Sequence, residues 1–323
     1  MRAVQITSLD GPGAVQVTEL PEPVPDAESV LIDVHAAGLA FPDLLETRGL
    51  YQVKPELPFV PGTEVAGVVR SAPAASGFSP GDRVAAFPGL GGFADTVAVE
   101  PDQVFPIPGS LSFAEAAGCP MNLLTVHFTL VHRGRMGPGE VLLVHGAAGG
   151  IGTATIQFAR AHGNRVLAVV SSPDKEAVAS EVGAHDVVLA DGFKDAVMEL
   201  TAGHGVDIVV DPVGGDRFTD SLRCLAPDGR LLVVGFAAGE IPTVKVNRLL
   251  LNNISVVGVG WGAYWMRHPG FLRRQWDDLL PLLSSGSLTP VIGATFPLER
   301  AGEALEMMDA RGARGKIVLE VRP

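Results

Sequence analysis

Cysteine is nearly absent: Cys119 and Cys224 are the two in 323 residues. Two thiols cannot build a disulfide framework, so the expectation is a pair of buried, reduced side chains in a cytoplasmic protein. Positive charge is also scarce. Lys and Arg total 24 against 36 Asp and Glu, a formal net charge of −12. No basic run interrupts that excess, which argues against a nucleic-acid partner, because gripping a phosphate backbone needs clustered cations. No uninterrupted apolar stretch is long enough to span a bilayer, so no membrane partner is expected. The opening residues Met1-Arg2-Ala3-Val4-Gln5 lead into strand-like sequence without the apolar core of a signal peptide. Internal repeats and low-complexity segments are missing too.

What is present reads as a soluble globular chain. Hydrophobic residues make up 47% and charged residues 19%, and 39 Gly with 25 Pro imply many tight turns. The length suits two lobes, each with its own core. The first third reads as β structure: a strand at Ser29–His35, then short β-branched runs at Val65–Val69 and Thr96–Val99 between glycines. Near residue 120 the pattern changes. Apolar runs at 141–144, 165–170, 186–189, 206–210, 230–234 and 254–259 alternate with helix-like segments, including Pro173–Val182, Phe193–Thr201 and Phe218–Leu225. Six near-continuous apolar strands separated by helices predict right-handed parallel crossovers and a doubly wound α/β sheet. The tail predicts helices at Phe271–Leu283 and Leu298–Met308 and a last strand at Gly315–Glu320.

The strongest local signal is Val144-His145-Gly146-Ala147-Ala148-Gly149-Gly150-Ile151-Gly152, which follows a strand and opens a helix. Glycines there let the backbone approach a pyrophosphate, and the helix start offers N–H groups carrying partial positive charge. Gly152 would let helix and strand pack closely. The second strand of the block ends Val170-Ser171-Ser172-Pro173-Asp174-Lys175. A site for NAD usually carries an acid at that strand end to hold the ribose 2′-OH. Two hydroxyls and a Lys instead suit a 2′-phosphate, so NADPH is the expected cofactor, with Asp174 as an alternative contact to a ribose in another loop shape. Helix capping is the competing role for Ser171 and Ser172.

These stretches, together with Gly49-Leu50-Tyr51, Pro61-Gly62-Thr63-Glu64-Val65-Ala66-Gly67, Leu124-Thr125-Val126, Val210-Asp211-Pro212-Val213-Gly214-Gly215 and Gly315-Lys316-Ile317-Val318-Leu319, identify a resemblance. The chain resembles the zinc-free quinone oxidoreductase (zeta-crystallin-like) branch of the medium-chain dehydrogenases/reductases along nearly its full length. The resemblance implies a GroES-like β-rich catalytic domain at residues 1–121 and 264–323. Inserted in it would be a Rossmann NADP-binding domain at residues 122–263, with a substrate cleft between the lobes. It implies Thr125 near the nicotinamide, and Gly149, Gly150 and Ile151 facing the pyrophosphate. Ser171, Ser172 and Lys175 would surround the 2′-phosphate. Phe236 and Ala237 on one loop, and Val259 with Trp261 on another, would flank the nicotinamide.

Zinc-dependent relatives carry a Gly-His-Glu motif and extra cysteines; here Gly62-Thr63-Glu64 puts Thr in place of the His ligand, so no metal is expected. His145, in an apolar context, reads as a core residue. The loop Ala40–Tyr51 also departs from the family pattern, with Ala40 where Asn is common and Thr47 where Arg is common. A cleft lined by Phe41, Tyr51, Phe236, Trp261 and Tyr264 would suit a small, apolar, electrophilic acceptor. Three readings follow. The first is NADPH-dependent hydride transfer to quinones. The second is NADPH-dependent reduction of activated C=C bonds in enones or enoyl thioesters. The third is a nucleotide-binding protein with little turnover. Tyr51, Asp43 and His127 are candidate proton donors, each with a structural alternative: packing for Tyr51, a cap or turn ligand for Asp43, a helix residue for His127. An apolar edge strand at Leu250–Val259, centred on Ile254–Gly258, predicts a homodimer by strand pairing.

Overall fold

The computed structural model describes residues 1–322. In chain order the strands are β1 (Arg2–Ile6), β2 (Val15–Glu19), β3 (Val30–Gly38), β4 (Glu64–Ser71), β5 (Arg83–Ala86), β6 (Thr96–Val99), β7 (Val104–Pro106), β8 (Val141–His145), β9 (Arg165–Val170), β10 (Asp186–Leu189), β11 (Val206–Asp211), β12 (Leu225–Val233), β13 (Ser255–Gly258), β14 (Ile292–Pro297) and β15 (Lys316–Glu320). The α-helices are α1 (Phe41–Glu46), α2 (Phe113–Ala117), α3 (Pro120–His127), α4 (Gly150–Ala161), α5 (Glu176–Glu181), α6 (Phe193–Leu200), α7 (Phe218–Arg223), α8 (Asn247–Asn252), α9 (Trp261–Trp265), α10 (Phe271–Ser284) and α11 (Ala301–Asp309). Two compact units result. One comprises Met1–Asn122, Pro269–Ser284 and Pro290 onward; the other comprises Leu123–His268 and Ser285–Thr289.

The first unit is β-rich. Seven strands form one sheet in the order β14-β15-β3-β4-β5-β7, with β6 pairing β3, and β1 and β2 form a separate ribbon. All pairings are antiparallel except β14 with β15. Long β3 carries the pattern: Val30, Ile32 and Val34 are buried in one core with Val65, Val69, Val84 and Leu319. Its register shifts against β4 between Leu31 and Ile32 and again between Val34 and Ala36, which bends the sheet. Helix α10 is anchored by Trp276, whose indole N–H donates to the Pro106 carbonyl at 2.9 Å and whose ring stacks on Phe105.

The second unit is a doubly wound sheet of six parallel strands in the order β10-β9-β8-β11-β12-β13. Leu142, Leu143 and Val144 of β8 and Val166 to Val170 of β9 are all buried, because helices cover both faces. Removing such a side chain from water contributes roughly 1.5–3 kcal/mol each. The order reverses between β8 and β11, which opens a crevice beyond the carboxyl ends of those strands.

Three local expectations change. The strand expected over Leu250–Val259 is only β13, four residues long, and the leucine run before it forms α8. Leu is a strong helix former, and Asn253, at φ 51°, ends the helix in the left-handed region that Asn tolerates. Strand β12 begins at Leu225, ahead of the expected Arg230, with a register shift opposite Val206–Ile208. The expected helix Pro173–Val182 is split into a 3₁₀ turn at Pro173–Lys175 and then α5. Among the described residues, no helix is long and apolar enough to cross a membrane.

Candidate functional site

In the nucleotide unit the Gly-rich turn joins β8 to α4 at the reversal point of the sheet. Gly146 adopts φ 59°, and Ala147 N–H donates to the Val169 carbonyl, tying the turn to β9. A Cβ on Gly152 would lie 2.3 Å from the Gly146 carbonyl oxygen and 2.6 Å from Ala147 Cα. Both are backbone atoms, so only Gly lets the first turn of α4 lie this close to the loop. Gly149 caps α4, and no side chain satisfies the helix start. An anionic group is the natural complement of such an end.

At the end of β9 the Lys175 ammonium donates to Ser171 Oγ at 3.2 Å; the strand itself ends without a carboxylate, and Asp174 lies in the turn that follows. The Ser172 side chain makes no capping hydrogen bond, so capping does not account for it. Phe236 and Ala237 follow β12 and are exposed, with Ala237 N–H donating to the Pro212 carbonyl. The Asp211 carboxylate accepts from Val213 and Gly214 N–H at 2.9 Å each and holds the neighbouring loop after β11. Val259 follows β13, and its N–H donates to the Val233 carbonyl. The residues expected around the cofactor at these turns thus stand at the carboxyl ends of parallel strands of one sheet.

Other expected residues are more enclosed. Thr125 is buried on α3, where its carbonyl accepts from Thr129 Oγ1. His127 is buried at the end of α3, edge-on to Phe158. Trp261 is buried at the start of α9. Tyr264 stacks on His268 with ring centres 3.9 Å apart and lies 4.5 Å from His132. His145 has its Nε2 2.8 Å from Ser221 Oγ, while Nδ1 is without a partner. Burial pushes its pKa down to about 4, so the ring is neutral.

In the β-rich unit α1 carries a polar cluster. Asp43 is fully buried: one carboxylate oxygen accepts from Ala40 N–H at 2.7 Å, the other from Thr63 N–H at 3.1 Å. That is the turn-ligand role, and burial pushes the Asp43 pKa up to about 7. The Thr63 hydroxyl lies 3.5 Å from the same carboxyl group. Glu64 forms a buried ion pair with Lys316 and accepts from Met121 N–H at 2.8 Å. Tyr51 is half-buried, its pKa raised by burial and then by the negative charges of Glu46 and Asp43. Phe41 opens α1 and is exposed. Thr47 is buried and turns its hydroxyl back to the Leu44 carbonyl. Sequence reasoning assigned nothing to Glu46, which is 2% exposed and whose Oε2 lacks a hydrogen-bond partner. Nor did it pair Glu64 with Lys316, because those residues lie 252 positions apart.

The chain is 39% identical over 299 residues to the quinone oxidoreductase-like protein 2 homolog of Nematostella vectensis, covering 91% of this chain and 82% of the relative. It belongs to the quinone oxidoreductase family. This is a family of the medium-chain dehydrogenases/reductases, and the chain is an oxidoreductase of that type. The profile of the alcohol dehydrogenase GroES-like domain matches residues 26–109, and that of the zinc-binding dehydrogenase domain matches residues 150–285. The two lobes are therefore a GroES-like domain and a Rossmann domain. A probable oxidoreductase from Mycobacterium abscessus superposes with a TM-score of 0.92 at 45% identity, covering 99% of both chains. The quinone oxidoreductase of Thermus thermophilus, solved alone and in complex with NADPH, superposes with a TM-score of 0.86 at 35% identity, covering 99% of this chain and all of that one. One matching profile is named for zinc. Among the described residues of this quinone oxidoreductase-family chain, no three His, Cys, Asp or Glu side chains gather to hold a metal ion.

Proposed function

We propose that this chain is an NADPH-dependent, zinc-independent reductase that delivers hydride to quinones. The observation that carries the reading is the Ser171–Lys175 pair at the end of β9, where a cofactor without the 2′-phosphate would call for an acid. A hydroxyl and an ammonium 3.2 Å apart form a donor set for a phosphate monoester. The glycine approach at Gly152 and the uncapped start of α4 fit the pyrophosphate of the same molecule. Structures of relatives in complex with NADPH support this reading. When bound, NADPH supplies a hydride, that is, two electrons and one proton.

The chain's own residues would then do the rest. Gly149, Gly150 and Ile151 hold the pyrophosphate, while Ser171, Ser172 and Lys175 hold the 2′-phosphate. Thr125, Phe236, Ala237, Val259 and Trp261 position the ring end. With Thr63 in the metal-ligand position and its hydroxyl turned to Asp43, nothing polarises an unactivated carbonyl. The acceptor must be electrophilic by itself, which a quinone is. Reduction of a C=C bond conjugated to a carbonyl is the second reading. It is favoured by Ala40 and by Thr47, whose hydroxyl is spent on the Leu44 carbonyl, since both leave α1 poor in groups for a quinone oxygen. A homodimer is part of the proposal. Among the described residues β13 has a strand partner on one side only, and α8, which precedes it, exposes Leu250 and Leu251 at 77% and 74%. The test of the reading is NADPH oxidation followed at its absorbance band against a panel of quinones, enones and saturated ketones. Turnover with quinones supports it, turnover with enones alone selects the second reading, and none with either leaves a nucleotide-binding protein.

A further inference from the structure

The GroES-like unit holds a cavity of about 490 Å³ that the reductase reading does not use. It lies where the turn between β4 and β5 meets the start of β5, the end of β7 and the first turn of α10. Ser76, Phe78, Asp82, Arg83, Ile107 and Arg273 are among its walls. The place is distinct from the α1 cluster: Arg83 pairs with Val68 of β4, and four residues of strand, roughly 13 Å, separate Val68 from Glu64. A volume of this size is ordinary for a site that takes a small organic molecule. Among the described residues neither arginine of the cavity pairs with a carboxylate. Arg83 spends two N–H donors on the Gly109 and Leu111 carbonyls, at 3.2 and 2.5 Å, and lies over the Phe113 ring at 4.7 Å. Those contacts brace the loop after β7 and account for Arg83 as structure. Arg273 is less committed. One N–H donates to the Pro101 carbonyl at 3.1 Å, and the guanidinium lies 5.2 Å from the centre of the Phe78 ring, itself a wall of the cavity. A guanidinium carries five N–H donors, so most of those on Arg273 are unspent. The Ser76 hydroxyl accepts from Phe78 N–H at 3.2 Å and donates to nothing among the described residues. Asp82 is the acid of the cavity. One of its oxygens accepts from Ser79 N–H at 2.8 Å, and it makes no ion pair among the described residues. Two cations against one anion leave the cavity net positive, in a chain whose net charge is −12.

We propose that this cavity is a second binding site, separate from the hydride chemistry, for a small organic monocarboxylate. The Arg273 guanidinium and the Ser76 hydroxyl hold the carboxylate, and the apolar body of the ligand lies against Phe78 and Ile107. A guanidinium and a carboxylate form a charge-assisted pair with matched planar geometry. The Phe78 ring beneath Arg273 and the Pro101 carbonyl fix that guanidinium before the ligand arrives, which lowers the cost of ordering it. Charge selects the class. A monoanion neutralises the cavity, whereas a phosphate dianion would leave it negative and set its second charge against Asp82. Phe78 and Ile107 are half-buried, and a guest with an apolar body removes them from water, which an inorganic anion does not.

Isothermal titration calorimetry of the full chain with benzoate tests the site. Benzoate should bind once per chain and saturate, and benzamide, its neutral counterpart, should bind about tenfold more weakly or worse. Arg273→Gln should weaken benzoate by roughly tenfold to hundredfold, and Arg273→Lys, which keeps the charge without the planar fork, should lose less. Asp82→Asn should tighten benzoate by about threefold and improve phenyl phosphate by more, because it removes the like charge; a purely structural Asp82 would move neither in that order. A wild type without saturable benzoate binding overturns the proposal, whether or not any variant folds. So does benzamide bound as tightly as benzoate, or Arg273→Gln with wild-type affinity, which would put the benzoate elsewhere on the chain. Phenyl phosphate bound by the wild type more tightly than benzoate overturns the monocarboxylate class. Should Arg273→Gln fail to fold by circular dichroism, Asp82→Asn and the benzamide comparison decide.

Discussion

Replacing Lys316 by Met probes the electrostatics that hold β4 and β15 around the candidate site. The wild type buries the Lys316 ammonium against Glu64, whose other oxygen accepts from Met121 N–H. Methionine keeps an unbranched side chain, one heavy atom shorter, and removes its charge. Glu64 would then be a buried carboxylate with one backbone donor, and it escapes by taking a proton. At pH 7 that costs the gap down to an ordinary Glu pKa of about 4.3, roughly 2.7 pH units at about 1.4 kcal/mol each, or close to 4 kcal/mol. The figure is a ceiling, because burying the ammonium has a cost that Met relieves. Burial already raises the Glu64 pKa, and Lys316 opposes the rise; without Lys316 the folded-state value climbs further. An acid raised in the folded state brings no penalty below its unfolded pKa, and a growing one as pH rises toward the folded value. Lys316→Met should therefore lose about 2–4 kcal/mol at pH 7 and clearly less at pH 5, and adding Glu64→Gln should recover most of the loss. Urea unfolding followed by circular dichroism at both pH values measures this. A loss that is the same at both, or no loss at pH 7, would refute the reasoning.

Other consequences are open to direct measurement. Protein purified without added metal should contain no stoichiometric zinc by elemental analysis and should keep its NADPH oxidation in a strong chelator, because Thr63 stands in the ligand position; a full equivalent with chelator-sensitive turnover would contradict this. Light scattering at micromolar concentration should give a dimer mass, and Leu250→Glu on α8 should give a monomer; a monomeric wild type ends the strand-pairing proposal. Saturated ketones should not be reduced, while Ala40→Asn should raise the quinone rate by up to about tenfold through one added hydrogen bond, with an unchanged or lower rate telling against that role of the position.

The nucleotide sheet was legible because its central strands are apolar on both faces: Leu142-Leu143-Val144 and Ile208-Val209-Val210 have no polar alternation to confuse them. The Gly146–Gly152 turn was legible because a carbonyl 2.3 Å from a would-be Cβ permits only Gly at position 152. Leu250 and Leu251, expected at the start of the last strand, misled where Leu142 and Leu143 did not. A short apolar run is ambiguous between strand and helix, and here the side chains face outward on α8. Strand β14 escaped notice because Gly293 and Pro297 punctuate it and its residues alternate between half-buried and exposed. The acid cluster of α1 could not be read either. Burial of Glu46 and Asp43, and the Lys316 partner of Glu64, arise from contacts made across long stretches of chain, which spacing does not encode.

The Ser171–Lys175 pair, as a grip on a 2′-phosphate, is the feature on which the proposed cofactor choice turns. Titrating the wild type and Lys175→Ala with NADPH and with NADH, following the nicotinamide fluorescence, measures it directly. A charge-assisted hydrogen bond of about 1.5–3 kcal/mol corresponds to roughly tenfold to hundredfold in affinity. NADPH should bind the wild type more tightly than NADH does by about that factor, and Lys175→Ala should remove most of the preference while leaving NADH binding nearly unchanged. Equal affinity of the wild type for the two cofactors, or a variant that weakens both alike, would contradict the central claim.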